Sequence, residues 1–227
     1  MKYKYETHLH SHPVSRCAKA SLKESLEFYK KMGYDGVFLT NHFIGGNFGG
    51  DNLTSNDEKI DFYCREFLDG LKLAREIGIG LFFGVEMSFN HHTDFLIYGL
   101  SPEWYYEHPE IIDIPYPQKL EYLKMHGAFI VHAHPFRSSY YSDSLSLPIS
   151  LFPHHIDAVE TKNSGNSKDL DHMAKLYAKH YKIPEFAGSD NHIGAEQKVL
   201  HGIVTREPIN ETEDFLRIMK EKKYKLF

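Results

Sequence analysis

Residues 33–42 read Gly33-Tyr34-Asp35-Gly36-Val37-Phe38-Leu39-Thr40-Asn41-His42, and this run decides the fold. Gly33 suits the turn that stops a helix. Asp35–Thr40 is an apolar run of strand length, too short for a helix. It delivers Asn41 and His42 at its C-terminal end. Upstream, Ser21-Leu22-Lys23-Glu24 has the form of a capping box and opens a helix with Leu22, Leu26 and Tyr29 on one face. Before that, Tyr3–His8 reads as a strand. Strand, helix and strand in that order make a parallel βαβ unit.

Downstream the pattern repeats. Residues 43–56 read as a Gly- and Asn-rich loop, and Asn56 caps a long helix that runs through Ile77 and stops at Gly78. Gly80–Val85, Asp94–Gly99, Ala128–His132, Asp157–Thr161, Glu185–Ala187 and Gly202–Thr205 read as strands. Helices are expected at about 118–125, Lys168–Tyr181 and Thr212–Lys222. Seven or eight short strands alternating with helices predict an α/β barrel, with residues 1–227 forming a single domain.

The 227 residues carry 26 Lys and Arg against 31 Asp and Glu, a net charge of −5. That balance argues against a nucleic-acid coat and against a polybasic membrane binder. No secretory leader and no transmembrane run is read in the sequence. Cys17 and Cys64 form neither a CxxC pair nor a disulfide framework. Two reduced thiols in a cytoplasmic protein are the expectation.

Histidine occurs 16 times, and histidine is the commonest metal ligand. The placement matters more than the number. His8 and His10 end the first strand, His42 follows the second, Glu86 the third. His132 and His134 end the strand at 128–132, and Asp190 and His192 follow the one at 185–187. Parallel barrels carry their active sites at that end. Side chains two apart on an extended segment share a side, so His8 with His10, and Asp190 with His192, can grip one ion. Of His132 and His134, one is expected to bind and the other to support. A donor set of His, Asp and Glu favours zinc, manganese or iron, and Glu86 suits a bridging position.

The segments HLHSH (8–12), GYDGVFLTNH (33–42), GVE (84–86), VHAHPFR (131–137) and GSDNH (188–192) resemble, in order, the motifs of the polymerase and histidinol phosphatase (PHP) family. The resemblance implies a distorted (β/α)7 barrel with two or three divalent metal ions at the C-terminal ends of its strands. His8, His10, Glu86 and Asp190 would bind one ion. Glu86 would bridge to a second, also held by His134, and His42 and His192 would hold a third. The sequence departs from the family where a His or Asp often follows the H-x-H. Arg16 and Cys17 stand there instead, and Cys17 reads as a small buried residue. Ser101 replaces a frequent His, with Asp94 either a substitute ligand or merely the start of its strand. Asn41 replaces a frequent Asp.

The activity so implied is hydrolysis of a phosphate monoester of a small metabolite, of histidinol phosphate or nucleotide type, by a metal-bridging hydroxide. Arg137 would clamp the phosphate through its planar fork, with Arg16 a second candidate. Asn163 and Tyr140 are candidate substrate contacts. Nucleic acid enters only as a short oligonucleotide substrate. The alternatives are an amidohydrolase-type C–N bond hydrolase and a non-catalytic metal-binding regulatory domain.

Overall fold

The computed structural model describes residues 2–43, 45–89, 93–116, 118–137 and 153–227. Its strands are β1 (Tyr3–Leu9), β2 (Gly36–Leu39), β3 (Gly80–Phe83), β4 (Val85–Phe89), β5 (Thr93–Tyr98), β6 (Phe129–His132), β7 (Ala158–Asn163), β8 (Glu185–Gly188), β9 (Ile203–Thr205) and β10 (Tyr224–Leu226). The helices are α1 (Leu22–Lys31), α2 (Asn56–Ile77), α3 (Pro102–Glu107), α4 (Gln118–Met125), α5 (Lys168–Tyr181) and α6 (Thr212–Lys220). No described helix is long and apolar enough to cross a membrane.

The expected (β/α)7 barrel is not what forms. Among the described residues the strands make two mixed five-stranded sheets, ordered β10-β9-β1-β2-β3 and β4-β5-β6-β7-β8. Their ladders do not close into a ring. Near the site, single parallel bridges at Leu9↔Asn191 and His42↔Glu86 link the two. The third expected strand, Gly80–Val85, is split at Gly84, where an added Cβ would lie 2.8 Å from Thr40 Cγ2. Beyond Gly84 the chain enters β4, which pairs with β5 across residues 90–92. So short a connection permits only an antiparallel pair. β5 and β6 are also antiparallel, as are β1 with β9 and β9 with β10. Parallel pairing survives at β1–β2, β2–β3, β6–β7 and β7–β8.

Alternation along the strands fills the space between the sheets. Tyr5, Phe38, Phe82, Leu96, Tyr98, Val131, Ala158 and Phe186 form one buried cluster with Phe215, Ile218 and Met219 of α6. Phe38 and Phe215 pack at 4.6 Å between ring centroids, tilted by 48°. The other strand face meets the helices, with Val37, Leu39, Leu26, Tyr29, Phe67 and Ala174 in a second buried cluster. This aromatic filling leaves the opposite strand ends to the polar residues.

Local signals set the helix ends. Ser21 and Glu24 form the expected reciprocal capping box of α1. In α2 the cap is Ser55 rather than Asn56, because Ser55 accepts from Glu58 N while Glu58 reaches back to the Ser55 backbone. Gly78 ends α2 in the left-handed conformation, at φ 77°.

Candidate metal centre

Glu86, at the start of β4, is the hub of the site. Its Oε1 lies 3.3 Å from His8 Nε2 and 3.2 Å from His134 Nε2. Its Oε2 lies 3.4 Å from His10 Nε2 and 2.6 Å from His42 Nδ1. Asp190 Oδ1 sits 3.4 Å from His8 Nε2 and 3.3 Å from His10 Nε2. His192 Nε2 faces His42 Nε2 at 3.3 Å. The seven residues singled out as ligands from the sequence therefore meet in one cluster. His8 and His10 share a side as the two-residue period requires, while Leu9 between them is buried in the core.

At His132 and His134 the period breaks. His134 has φ 26°, outside the extended region, so the two rings part. His132 packs against Phe95 and Tyr177, and His134 turns to Glu86. Asp190 is likewise left-handed, at φ 53°. Such conformations cost energy in non-glycine residues and persist where the surroundings fix them, commonly at functional sites.

The inward aim of the imidazoles is set from behind. His8 Nδ1 lies 3.0 Å from Glu160 Oε1, an acceptor that keeps the proton on Nδ1 and turns Nε2 to the centre. His10 Nδ1 lies 2.9 Å from Ser15 Oγ. That hydroxyl donates onward to Asn41 Oδ1, so it accepts from the ring. His192 Nδ1 lies 3.0 Å from the Asp190 carbonyl oxygen. Glu160 is the residue that sequence reasoning missed. It also accepts from His134 N and from Asn163 Nδ2. An acid inside the otherwise strand-like run 157–161 was the available signal, and the structure buries it fully on β7. Gly188 leaves room for this contact, since a Cβ there would lie 2.5 Å from His8 Cβ and 3.0 Å from Glu160 Oε1.

Asn41 has a physical reason to be an amide. Its Oδ1 accepts from Ser11 N at 2.7 Å, and its Nδ2 donates to Glu66 Oε2 at 2.6 Å. An Asp at 41 would set its carboxylate against that of Glu66, which burial pushes up to about 7.

The electrostatics follow from burial and crowding. Burial alone would raise Glu86, but the His42 and His8 imidazoles outweigh it and hold Glu86 well below the usual carboxylate range. Asp190 is held down in the same way against burial, by His8 and Arg137. Burial lowers His8 while Asp190, Glu160 and Glu86 raise it, with a net rise. Burial, His192 and His42 all lower His10. Two ionised carboxylates surrounded by crowded imidazoles form a site that a cation can occupy in exchange for protons.

The donor set fits divalent metal ions. Ligand atoms fall within 4.8 Å of one another in four overlapping groups: His8–His10–Glu86, His8–His134–Asp190, Glu86–Asp94–His134 and His10–His42–His192. His8 Nε2, His10 Nε2, His42 Nδ1 and Glu86 Oε2 are buried and make no well-aligned hydrogen bond, though His42 Nδ1 and Glu86 Oε2 approach to 2.6 Å. Each such atom costs about 1–3 kcal/mol if left unsatisfied, and all four belong to this one cluster. Asp94 joins it because β5 runs antiparallel, which puts the start of that strand at the site.

Of the expected substrate contacts, Arg137 and Asn163 lie beside Asp190 of the cluster. The Arg137 guanidinium pairs with Asp190, Asn163 and Asn166. Arg16 does not lie there: its guanidinium turns outward to Asp51 and to the Phe48 carbonyl oxygen, and it is 58% exposed. The outward pair with Asp51 removes the expected second clamp. Tyr140 lies outside the described residues. Cys17, expected to be buried, is exposed. Burial would raise its thiol, but hydrogen bonds from His192 and His42 bring it down to about 6.

No protein-family model and no curated protein matches the chain. Solved structures do. A two-domain protein from Bacteroides vulgatus containing a predicted PHP-like metal-dependent phosphoesterase is 15% identical with a TM-score of 0.67, covering 100% of this chain and 65% of that one. The novel lesion-specific endonuclease EndoQ of Pyrococcus furiosus is 17% identical, also at 0.67, covering 100% and 58%. An amidohydrolase from Chromobacterium violaceum, with bound sulfate and no metal, is 14% identical at 0.58, covering 95% and 96%. The chain thus spans less than two thirds of the first two. At these identities the likeness speaks to architecture alone: this chain has the fold of the PHP-like metal-dependent phosphoesterases.

Proposed function

We propose that the chain is a metal-dependent phosphoesterase that releases phosphate from a small phosphorylated metabolite. The observation that carries this reading is the convergence of buried imidazole and carboxylate ligand atoms within 4.8 Å of one another in four overlapping groups, with His8 Nε2 and His10 Nε2 lacking any aligned hydrogen-bond partner. His8, His10, Glu86 and Asp190 would hold one ion, Glu86 and His134 with Asp94 a second, and His42 and His192 a third. Zinc, manganese and iron all suit this donor set. Such ions neutralise charge on phosphoryl oxygens and make water a competent nucleophile near neutral pH.

The chain's own residues do the rest. Arg137 stands at the rim with its fork fixed by Asn163 and Asn166, where it can bind phosphate oxygens. Asn163 ties that fork to Glu160 and hence to His8, so substrate and ligand positions are coupled. The net charge of −5 favours a small anion over a long nucleic acid. Two free cysteines suit the cytoplasm.

The test is a substrate panel with metal-reconstituted protein: phosphorylated metabolites, duplex DNA carrying an abasic site, and amides. Phosphate release from small monoesters is expected. Strand cleavage without monoester hydrolysis would move the substrate to DNA, and ammonia release would favour amidohydrolase chemistry.

A further inference from the structure

We infer that Asn41, locked in place by Glu66, is a positioning residue that decides which nitrogen of His10 offers its lone pair to the centre, acting through the Ser15 hydroxyl. Its consequence for metal binding rests on the reading of the cluster as a metal centre; the proton placement itself does not.

The relay starts on α2. Glu66 Oε2 accepts from Asn41 Nδ2 at 2.6 Å and from Ser11 Oγ at 2.9 Å. Ser11 N donates to Asn41 Oδ1 at 2.7 Å. Both ends of the amide are thus specified. A flip would set Nδ2 against the Ser11 N–H and Oδ1 against the Glu66 carboxylate. Held this way, Asn41 Oδ1 takes the proton of Ser15 Oγ at 2.9 Å. A hydroxyl has one proton and two lone pairs. With its proton committed, Ser15 Oγ can only accept, from His42 N and from His10 Nδ1, each at 2.9 Å. His10 therefore carries its proton on Nδ1.

The surroundings of the other nitrogen make this placement matter. His10 Nε2 lies 3.4 Å from Glu86 Oε2 and 3.3 Å from Asp190 Oδ1, yet makes no aligned hydrogen bond. Those two carboxylates would welcome a proton on Nε2, and a proton there would block the lone pair that a cation needs. The relay opposes that pull from the far side of the ring. Asn41, Ser15 and His10 are buried, so bulk water does not stand in for a missing partner. Without the Asn41 acceptor, the Ser15 proton turns to His10 Nδ1 and the ring proton moves to Nε2. His8 is independent of this relay, because its Nδ1 meets Glu160 directly.

The test uses the full chain, stripped with chelator and isotope-labelled, and reads the histidine tautomers from long-range proton–nitrogen spectra at about pH 8, above the usual imidazole range. Signals are assigned with His10→Asn and His8→Asn. The unmodified protein should carry the His10 proton on Nδ1. Asn41→Ala should move it to Nε2 and leave His8 unchanged, with metal affinity of the inner half falling about 10–100-fold. Exchanging the amide and carboxylate, Asn41→Asp with Glu66→Gln, keeps an acceptor for Ser15 and a donor between the pair, so it should restore both the Nδ1 proton and the affinity. An Nε2 proton on His10 in the unmodified protein, which needs no variant to fold, would overturn the proposal. So would an unmoved His10 proton in folded Asn41→Ala, or a double variant no better than Asn41→Ala. The expected tautomers in a protein that binds no divalent metal would keep the relay and reject the metal-centre reading, and metal-dependent phosphate release with an Nε2 proton on His10 would do the reverse.

Discussion

The centre has two halves built from the same residue types. His8 and His10 are fully buried, and each has its Nδ1 anchored by another side chain, Glu160 and Ser15 respectively. His42 and His192 stand at the rim, with side chains 13% and 23% exposed. His192 Nδ1 is met by the Asp190 backbone carbonyl and, at 3.3 Å, by the Asp190 carboxylate, not by a separate buried side chain. Burial makes an unpaired nitrogen expensive, and a fixed tautomer makes its lone pair ready. The inner half should therefore hold its ion tightly, while the rim exchanges with solvent. The lesson is that ligand identity alone does not rank metal sites; the residues behind the ligands do.

The largest effect is expected from removing what both halves share. Glu86→Ala should lower kcat/KM on the order of a thousandfold, because several kcal/mol of metal-borne charge stabilisation is lost. Elemental analysis should show metal missing from both halves. Next, Glu160→Gln keeps an acceptor for His8 but removes its charge. Metal affinity of the inner half should fall about 10–100-fold, with the rim unchanged in competitive chelator titration. An equal fall in both halves would erase the distinction. Arg137→Ala should lower kcat/KM roughly tenfold or more, through loss of a charge-assisted bond, without changing metal content. Wild-type kinetics in that variant would leave Arg137 as a partner of Asp190 only. The smallest effect sets the baseline. Ser55→Ala, remote from both halves, should cost about 1 kcal/mol in chemical denaturation by uncapping α2 and leave metal content alone.

The sequence was most legible where chemistry is local. The Ser21 capping box, the span of α5 and the pairing of His8 with His10 each depend on neighbours a few residues apart. Seven candidate ligand positions could be read because each lies at or just beyond a strand end, and strand ends converge. Closure could not be read. Gly80–Val85 reads as one strand, whereas the chain breaks at Gly84, packed close to Thr40 of a distant segment, and β4 then pairs antiparallel with β5. β10 escaped notice because its three residues earn their strand only by pairing with β9. The fates of Arg16 and Glu160 were equally non-local, fixed by Asp51 in one case and by His8 in the other. His134 looked extended, and its positive φ came from tertiary fit.

The central claim is that this cluster works as a metal centre for phosphoester hydrolysis. The most direct measurement follows bound metal and phosphate release on one sample of chelator-dialysed protein during readdition of manganese or zinc. The account predicts no turnover in the stripped protein and recovery in step with occupancy of the inner half. Undiminished phosphate release from metal-free protein would contradict it.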